Sequence, residues 1–290
     1  MTNVATTVLR SSAGSEVSIG DAHPFAIIGE RINPTGRKKL AEELKRGNYD
    51  MVRSDALAQV AAGAKVLDLN AGIPGFDEVA MLCEMVTIVN GLVDVPICID
   101  SSTPEALEAA VPLAGGKVII NSVTAEQHMM DRLLPLVAAH GAAVIGMAND
   151  ETGISMDPDE RFAAAAKVVD NAERRGIDRT DVIIDPLAMP IGAAPDAGTA
   201  MIRTMRRIRE ELGVNLSCGA SNISFGMPDR RGIDATFLTL MMGAGMNTAI
   251  TNPLHEPVKK AILAADLLLG HDEYGSAWIA DHRAQQAAGV

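Results

Sequence analysis

KVLDLNAG at Lys65–Gly72, DEVAMLCEMVTIVNGL at Asp77–Leu92 and VPICIDSS at Val95–Ser102 form the stretch whose reading decides the fold. The outer two segments are short apolar runs that end in an acid or an amide. Continuous apolar runs of this length suit strands buried on both faces, as in a parallel sheet. The middle segment is longer and carries a helical pattern. Strand, helix and strand in this order make one βαβ unit, and the two strands end in Asp68-Leu69-Asn70 and Asp100-Ser101-Ser102.

The same alternation continues outward. Upstream lie a strand at Phe25–Asn33 and a helical pattern over Arg37–Ala62. Downstream, strands are expected at Lys117–Thr124, Ala143–Asn149, Val182–Met189, Asn215–Ser224 and Met246–Pro253. Helices are expected at Pro104–Leu113, Gln127–His140, Pro158–Arg175, Pro195–Leu212, Ile233–Gly243 and Glu256–Leu269. Thr103-Pro104-Glu105, Asp157-Pro158 and Glu256-Pro257 place a cap or an acid beside a first-turn proline. Gly63, Gly141, Gly176, Gly213 and Gly270 close helices. Eight βα units in series, with no break in composition, predict a single (β/α)8 TIM barrel of the α/β class. An open doubly wound sheet is the competing fold. It would carry GxGxxG after the first strand, where Gly29-Glu30-Arg31-Ile32 stands instead.

Length and composition agree with one barrel. The 290 residues are 48% apolar but only 3% aromatic, so the core must be aliphatic, helped by 15 methionines. Residues 1–24 read as an irregular arm with room for one short strand, and residues 25–290 as the barrel domain. The formal charge of −12 argues against a nucleic-acid footprint, which calls for basic surfaces. Arg203, Arg206, Arg207 and Arg209 cluster beside Glu210 and Glu211 and read as a solvated helix face. No apolar run is long enough for a membrane span. Cys83, Cys98 and Cys218 form no CxxC pair, and the chain reads as cytoplasmic.

In this fold, ligands bind at the C-terminal ends of the strands. Every predicted strand delivers an acid or an amide there: Glu30 and Asn33, Asp68 and Asn70, Asp100, Asn121, Asn149 and Asp150, Asp185, Asn222, and Asn252. Burying so many polar groups unpaired would cost about 1–3 kcal/mol each. The sum would rival the whole stability of a domain. They must therefore bind one another, water or a ligand. The set lacks the His and Cys cluster of a zinc site, and its acids are diluted by amides, which disfavours a magnesium site at Asp68, Asp100 and Asp185. The site is read as metal-free. An Asp accepts from a ring N–H and the neighbouring amino group together, and an Asn both donates and accepts. A pterin presents those groups, and so does a guanine base.

Six segments resemble the pterin-binding methyltransferase family, which includes the methyltetrahydrofolate:corrinoid protein methyltransferases and the folate-binding domain of cobalamin-dependent methionine synthase. They are Gly29-Glu30-Arg31-Ile32-Asn33-Pro34-Thr35-Gly36, Asp68-Leu69-Asn70-Ala71-Gly72, Ile99-Asp100-Ser101-Ser102, Ile120-Asn121-Ser122, Ile184-Asp185-Pro186-Leu187 and Gly219-Ala220-Ser221-Asn222-Ile223-Ser224. They stand in the family's order and span about Phe25 to Gly270. The resemblance implies a dihydropteroate-synthase-like barrel that moves a methyl group between N5 of tetrahydrofolate and the cobalt of a corrinoid protein. It implies that Asp100, Asn121 and Asp185 hold the pterin and that Asn222 hydrogen-bonds near N5. It further implies that Gly219 and Ser221 shape that loop, that Arg230 lies near the folate tail, and that Glu30, Asn33, Asp68 and Asn70 support the floor. The substrates it implies are tetrahydrofolate and 5-methyltetrahydrofolate. Cobalamin would arrive on a partner protein, because no D-x-H-x-x-G signature is present; the βα loops read as short, leaving the mouth open for it. A homodimer is also implied. Dihydropteroate synthases share the pocket, but their first loop reads like NxTPDSFSDGG, whereas here it is Asn33-Pro34-Thr35-Gly36-Arg37. A synthase-like pterin enzyme and a non-catalytic folate-binding subunit remain the alternatives.

Overall fold

The computed structural model describes residues 6–287, and eight of its strands form one parallel sheet. In chain order these are β3 (Ala26–Ile32), β4 (Val66–Asn70), β5 (Ile97–Asp100), β6 (Ile119–Thr124), β7 (Ala143–Met147), β8 (Val182–Asp185), β9 (Asn215–Leu216) and β10 (Thr248–Thr251), which pairs back onto β3. The ring closes between β9 and β10 through a parallel bridge from Gly219 to Ile250 and the amide of Ile250 donating to the carbonyl of Cys218. The predicted barrel is therefore present, and the open sheet is excluded.

Around it run α1 (Lys38–Lys45), α2 (Asp50–Ala61), α3 (Glu78–Asn90), α4 (Pro104–Ala114), α5 (Gln127–His140), α6 (Pro158–Arg174), α7 (Ala197–Leu212), α8 (Arg230–Gly243), α9 (Glu256–Leu269) and α10 (Ser276–Ala287). Asp77 caps α3 by accepting from the Ala80 amide, and Asp157 caps α6 beside Pro158. Gly141, Gly213 and Gly270 end their helices in the left-handed conformation. The single helix expected over Arg37–Ala62 is two, because Gly47 adopts φ +68° and breaks the first after Lys45.

Two apolar layers hold the barrel. The larger lies between sheet and helices. The smaller fills the barrel itself with Ala26, Ile28, Val66, Cys98, Ile119, Ala143, Ile145 and Ile183. Inward residues recur at every second position, as a pleated strand requires. The arm is more ordered than its sequence suggested. It forms an antiparallel hairpin of β1 (Thr7–Arg10) and β2 (Glu16–Ile19). Leu9 and Ile19, both fully buried, cap the inner layer from the N-terminal end of the strands. Asn215 donates to Thr7 Oγ1 and to the Ile19 carbonyl, which fastens the hairpin to β9.

The loops above the barrel depart from expectation in one respect. Residues 148–157, 186–196 and 217–229 are long connections, where short ones were expected. The strand expected at Asn215–Ser224 is confined to β9, and a 3-10 turn at Ala220–Asn222 follows it.

Candidate active site

The C-terminal mouth of the barrel encloses a cavity of about 940 Å³. Asp68, Asp100, Asn121 and Asp185 line its floor, and Glu30, Asn33, Gly219, Ser221, Asn222 and Arg230 line its wall. Asn70 alone among the expected site residues does not line it. Its Oδ1 accepts from the Gly72 amide at 2.9 Å, which turns its Nδ2 toward Asp100 Oδ2, also at 2.9 Å. Asn70 thus orients Asp100 from the side. Strand β7 breaks the expected pattern. Asn149 and Asp150 lie beyond its end and line a separate cavity of about 220 Å³. Met147 takes their place in the main one.

Two strand irregularities shape the mouth. On β3 the register shifts between Gly29 and Ile32, so one residue more stands on β3 than on β4. A second shift lies between Asn121 and Val123 on β6. Such bulges re-aim side chains. Here they send consecutive residues, Glu30 with Arg31 and Asn121 with Ser122, into the same cavity. The β3 bulge is held by Gln59 of α2, whose Oε1 accepts from the Arg31 amide at 2.8 Å. Gly29 makes room for it: a Cβ there would stand 2.6 Å from Gln59 Oε1.

The floor is acidic and its carboxyls are buried. Burial pushes the carboxyls of Asp100 and Asp185 up to about 6. Burial, and then the charge of Asp100, holds Asp68 well above the usual carboxylate range, with Asn121 Nδ2 3.4 Å from its Oδ1. Asp185 Oδ1 accepts from the Leu187 amide at 2.7 Å. Glu30 is raised by burial and accepts from Ser221 Oγ at 2.9 Å. The wall opposite is basic. Arg31, Arg230, Arg231 and His255 line it. Arg31 Nε is buried with no hydrogen-bond partner. Arg230 donates to Ser224 Oγ at 2.9 Å and to the Ser221 carbonyl at 2.5 Å, so it braces the loop that carries Asn222. His255 bonds Asn252 at 3.0 Å, and its pKa is lowered first by burial and then by the charges of Arg231 and Arg31.

Asn222 packs directly over Gly219. A Cβ at Gly219 would stand 2.9 Å from Asn222 Nδ2. The amide therefore occupies space that only glycine leaves free. Among the described residues no cluster of His, Cys, Asp and Glu has the arrangement of a metal site.

Sequence reasoning missed Arg31, Arg231, His255 and Met147. Strict alternation puts Arg31 on the outer face of β3, and the bulge reverses that. Arg231 comes from the start of α8, and His255, two residues past the last expected strand, reads in the sequence as a lone structural histidine but stands before α9.

The closed eight-stranded barrel, with Asp100, Asn121 and Asp185 in the cavity at its mouth, carries the six segments that resembled the pterin-binding family. The chain belongs to that family: the family described as pterin binding enzyme matches residues 29–252. Its relatives include the methylcorrinoid:tetrahydrofolate methyltransferase of Eubacterium limosum, 33% identical over 252 residues, covering 85% of this chain and 92% of the relative. Methionine synthase of Mycobacterium tuberculosis (strain ATCC 25618 / H37Rv) is 29% identical over 254 residues. That match takes in 81% of this chain but only 21% of the synthase. Among solved structures, dihydropteroate synthase from Xanthomonas albilineans in complex with 7,8-dihydropteroate superimposes with a TM-score of 0.69 at 18% identity, covering 90% of this chain and 98% of that one. At that identity the likeness shows the fold.

Proposed function

We propose that this protein is a methyltransferase that moves a methyl group between N5 of tetrahydrofolate and the cobalt of a corrinoid protein. The observation that carries the reading is Asn222, held over Gly219 at the edge of a cavity floored by Asp100, Asn121 and Asp185. On this reading the two carboxylates accept the ring N–H and amino hydrogens of the pterin, and Asn121 pairs with another edge. Arg31, Arg230 and Arg231 form the positive side that faces the acidic folate tail. The protein would work in the cytoplasm as a homodimer. Three free thiols, two of them buried, agree with a reducing compartment. No described helix is long and apolar enough to cross a membrane.

The chemistry needs a group near N5. In the demethylating direction the N5–CH3 bond breaks, the methyl passes to Co(I) of the partner's corrinoid, and N5 takes up a proton. Unassisted, the nitrogen would leave as a poor anion. Asn222 donates a hydrogen bond to N5 as charge develops there, and it leaves the proton itself to solvent. The reverse direction uses the same contacts. The Eubacterium relative, named for transfer from methylcorrinoid to tetrahydrofolate, favours that direction.

Calorimetric titration with 5-methyltetrahydrofolate tests the pocket. Wild type should bind in the micromolar range, and Asp100→Ala should abolish binding. Absence of binding by wild type would sink the reading. Asn222→Ala should slow methyl transfer about 10²–10³-fold. Its folate dissociation constant should stay within about tenfold, one hydrogen bond's worth. Equal losses in both would remove Asn222 from the chemistry.

A further inference from the structure

We infer that Arg161, a residue outside the cavity, is the positioning residue that holds Asp185 in its ligand-binding orientation. Its side chain is 1% exposed and is the largest fully buried side chain among the described residues. Burying a guanidinium demands compensation. Among the described residues it has no ion-pair partner. Instead, Nη1 donates to the carbonyls of Pro186 and Leu187, each at 2.9 Å, and Nε donates to the carbonyl of Ser155 at 2.5 Å. Two of these three acceptors are the residues that follow Asp185.

The loop they belong to is strained where Arg161 grips it. Leu187 has φ +67°, the left-handed region that costs a branched residue energy and costs glycine little. That conformation turns the Leu187 amide back onto Asp185 Oδ1 at 2.7 Å, while its carbonyl faces Arg161. A chain of contacts therefore runs from the guanidinium through one peptide to the carboxylate. A planar guanidinium holds its donors in fixed directions, toward the Ser155 carbonyl as well as these two, whereas an ammonium's three donors turn freely at the end of a flexible stem. The fold uses a charge from α6 to fix a carboxylate at the end of β8. If the role were core filling alone, an apolar side chain would serve, and nothing would require donors aimed at this loop.

The inference rests on the pterin reading of the cavity. Binding of 5-methyltetrahydrofolate and methyl-transfer kinetics are measured for wild type, Arg161→Lys, Arg161→Met and Arg161→Met with Leu187→Gly, with thermal unfolding of each. Both single variants should weaken binding by about tenfold or more, while the rate at saturating folate falls by less than about threefold. Adding Leu187→Gly to Arg161→Met should recover much of the lost affinity, because glycine adopts the left-handed turn without the clamp. A purely structural arginine would not be rescued this way. Arg161→Lys keeps the charge inside the fold and carries the test if the methionine variant does not fold. Wild-type affinity in a folded Arg161 variant overturns the inference, and so does a double variant no better than Arg161→Met. Failure of wild type to bind would overturn the pterin reading instead, so the two failures are distinguishable.

Discussion

Gly219 shows how a residue with no side chain governs one that has chemistry. The space above it holds the Asn222 amide, and a methyl group there would collide with Nδ2 at 2.9 Å. The 3-10 turn that carries Asn222 is braced from the other side by Arg230 through the Ser221 carbonyl. Asn222 is exposed, so its amide would yield to such a methyl group by turning away from the cavity edge. Gly219→Ala should therefore displace Asn222 and lower the methyl-transfer rate roughly 10–100-fold, the range expected from a misplacement of about an ångström. Folding stability should change little by comparison. Single-turnover kinetics beside a thermal melt would check this; an unchanged rate would show that Asn222 tolerates the shift.

At the scale of elements, the barrel separates stability from function by end. The hairpin β1–β2 closes the N-terminal end with Leu9 and Ile19, and the site occupies the opposite end. The inner apolar layer lies between them. Leu9→Ala should thus destabilise the protein by about 2–5 kcal/mol, as expected for a buried leucine whose cavity cannot collapse. Folate affinity and turnover measured well below the melting temperature should match wild type. A loss of binding in a fully folded Leu9→Ala would mean that the hairpin communicates with the mouth. The rim bulges on β3 and β6 belong to the same scale. They break the alternation of their strands just where two neighbouring side chains have to face one ligand.

For the whole molecule, the acidic floor is a cost that the ligand offsets. The folded-state pKa of Asp100 stands at about 6, above the ordinary value of 3.8. The stability this carboxyl contributes is therefore fully present below the ordinary value and is lost as pH rises toward 6. Above that, the ionised group destabilises the empty protein. A shift of about two units corresponds to roughly 1–3 kcal/mol. Asp100→Asn should accordingly raise the melting temperature of the empty protein at pH 7.5, with the advantage shrinking as pH falls toward 4. The same variant should lose folate affinity. Wild-type affinity should itself fall below pH 6, by about tenfold per unit for each carboxylate that must be ionised. A melting temperature unchanged or lowered at pH 7.5 would show that Asn70 and the neighbouring groups already compensate the charge.

The sequence by itself determined the eight βα units, because buried parallel strands and amphipathic helices leave periodic marks and prolines and glycines punctuate them. It also determined the set of acids and amides at the strand ends, because a strand of known length puts its last inward residue at the mouth. Particular failures mark where that logic stops. Arg31 reads as outward until the β3 bulge adds a residue, and a bulge is a property of two paired strands. Asn149 and Asp150 read as polar groups at the end of a strand, but β7 ends at Met147 and both line a separate cavity. Arg161 carries no mark in the sequence that separates it from the other charges of α6. Only the tertiary structure decided that it is buried against the peptide that follows Asp185, because Arg161 stands in the first turn of α6 and meets Pro186 only when that helix packs back against β8.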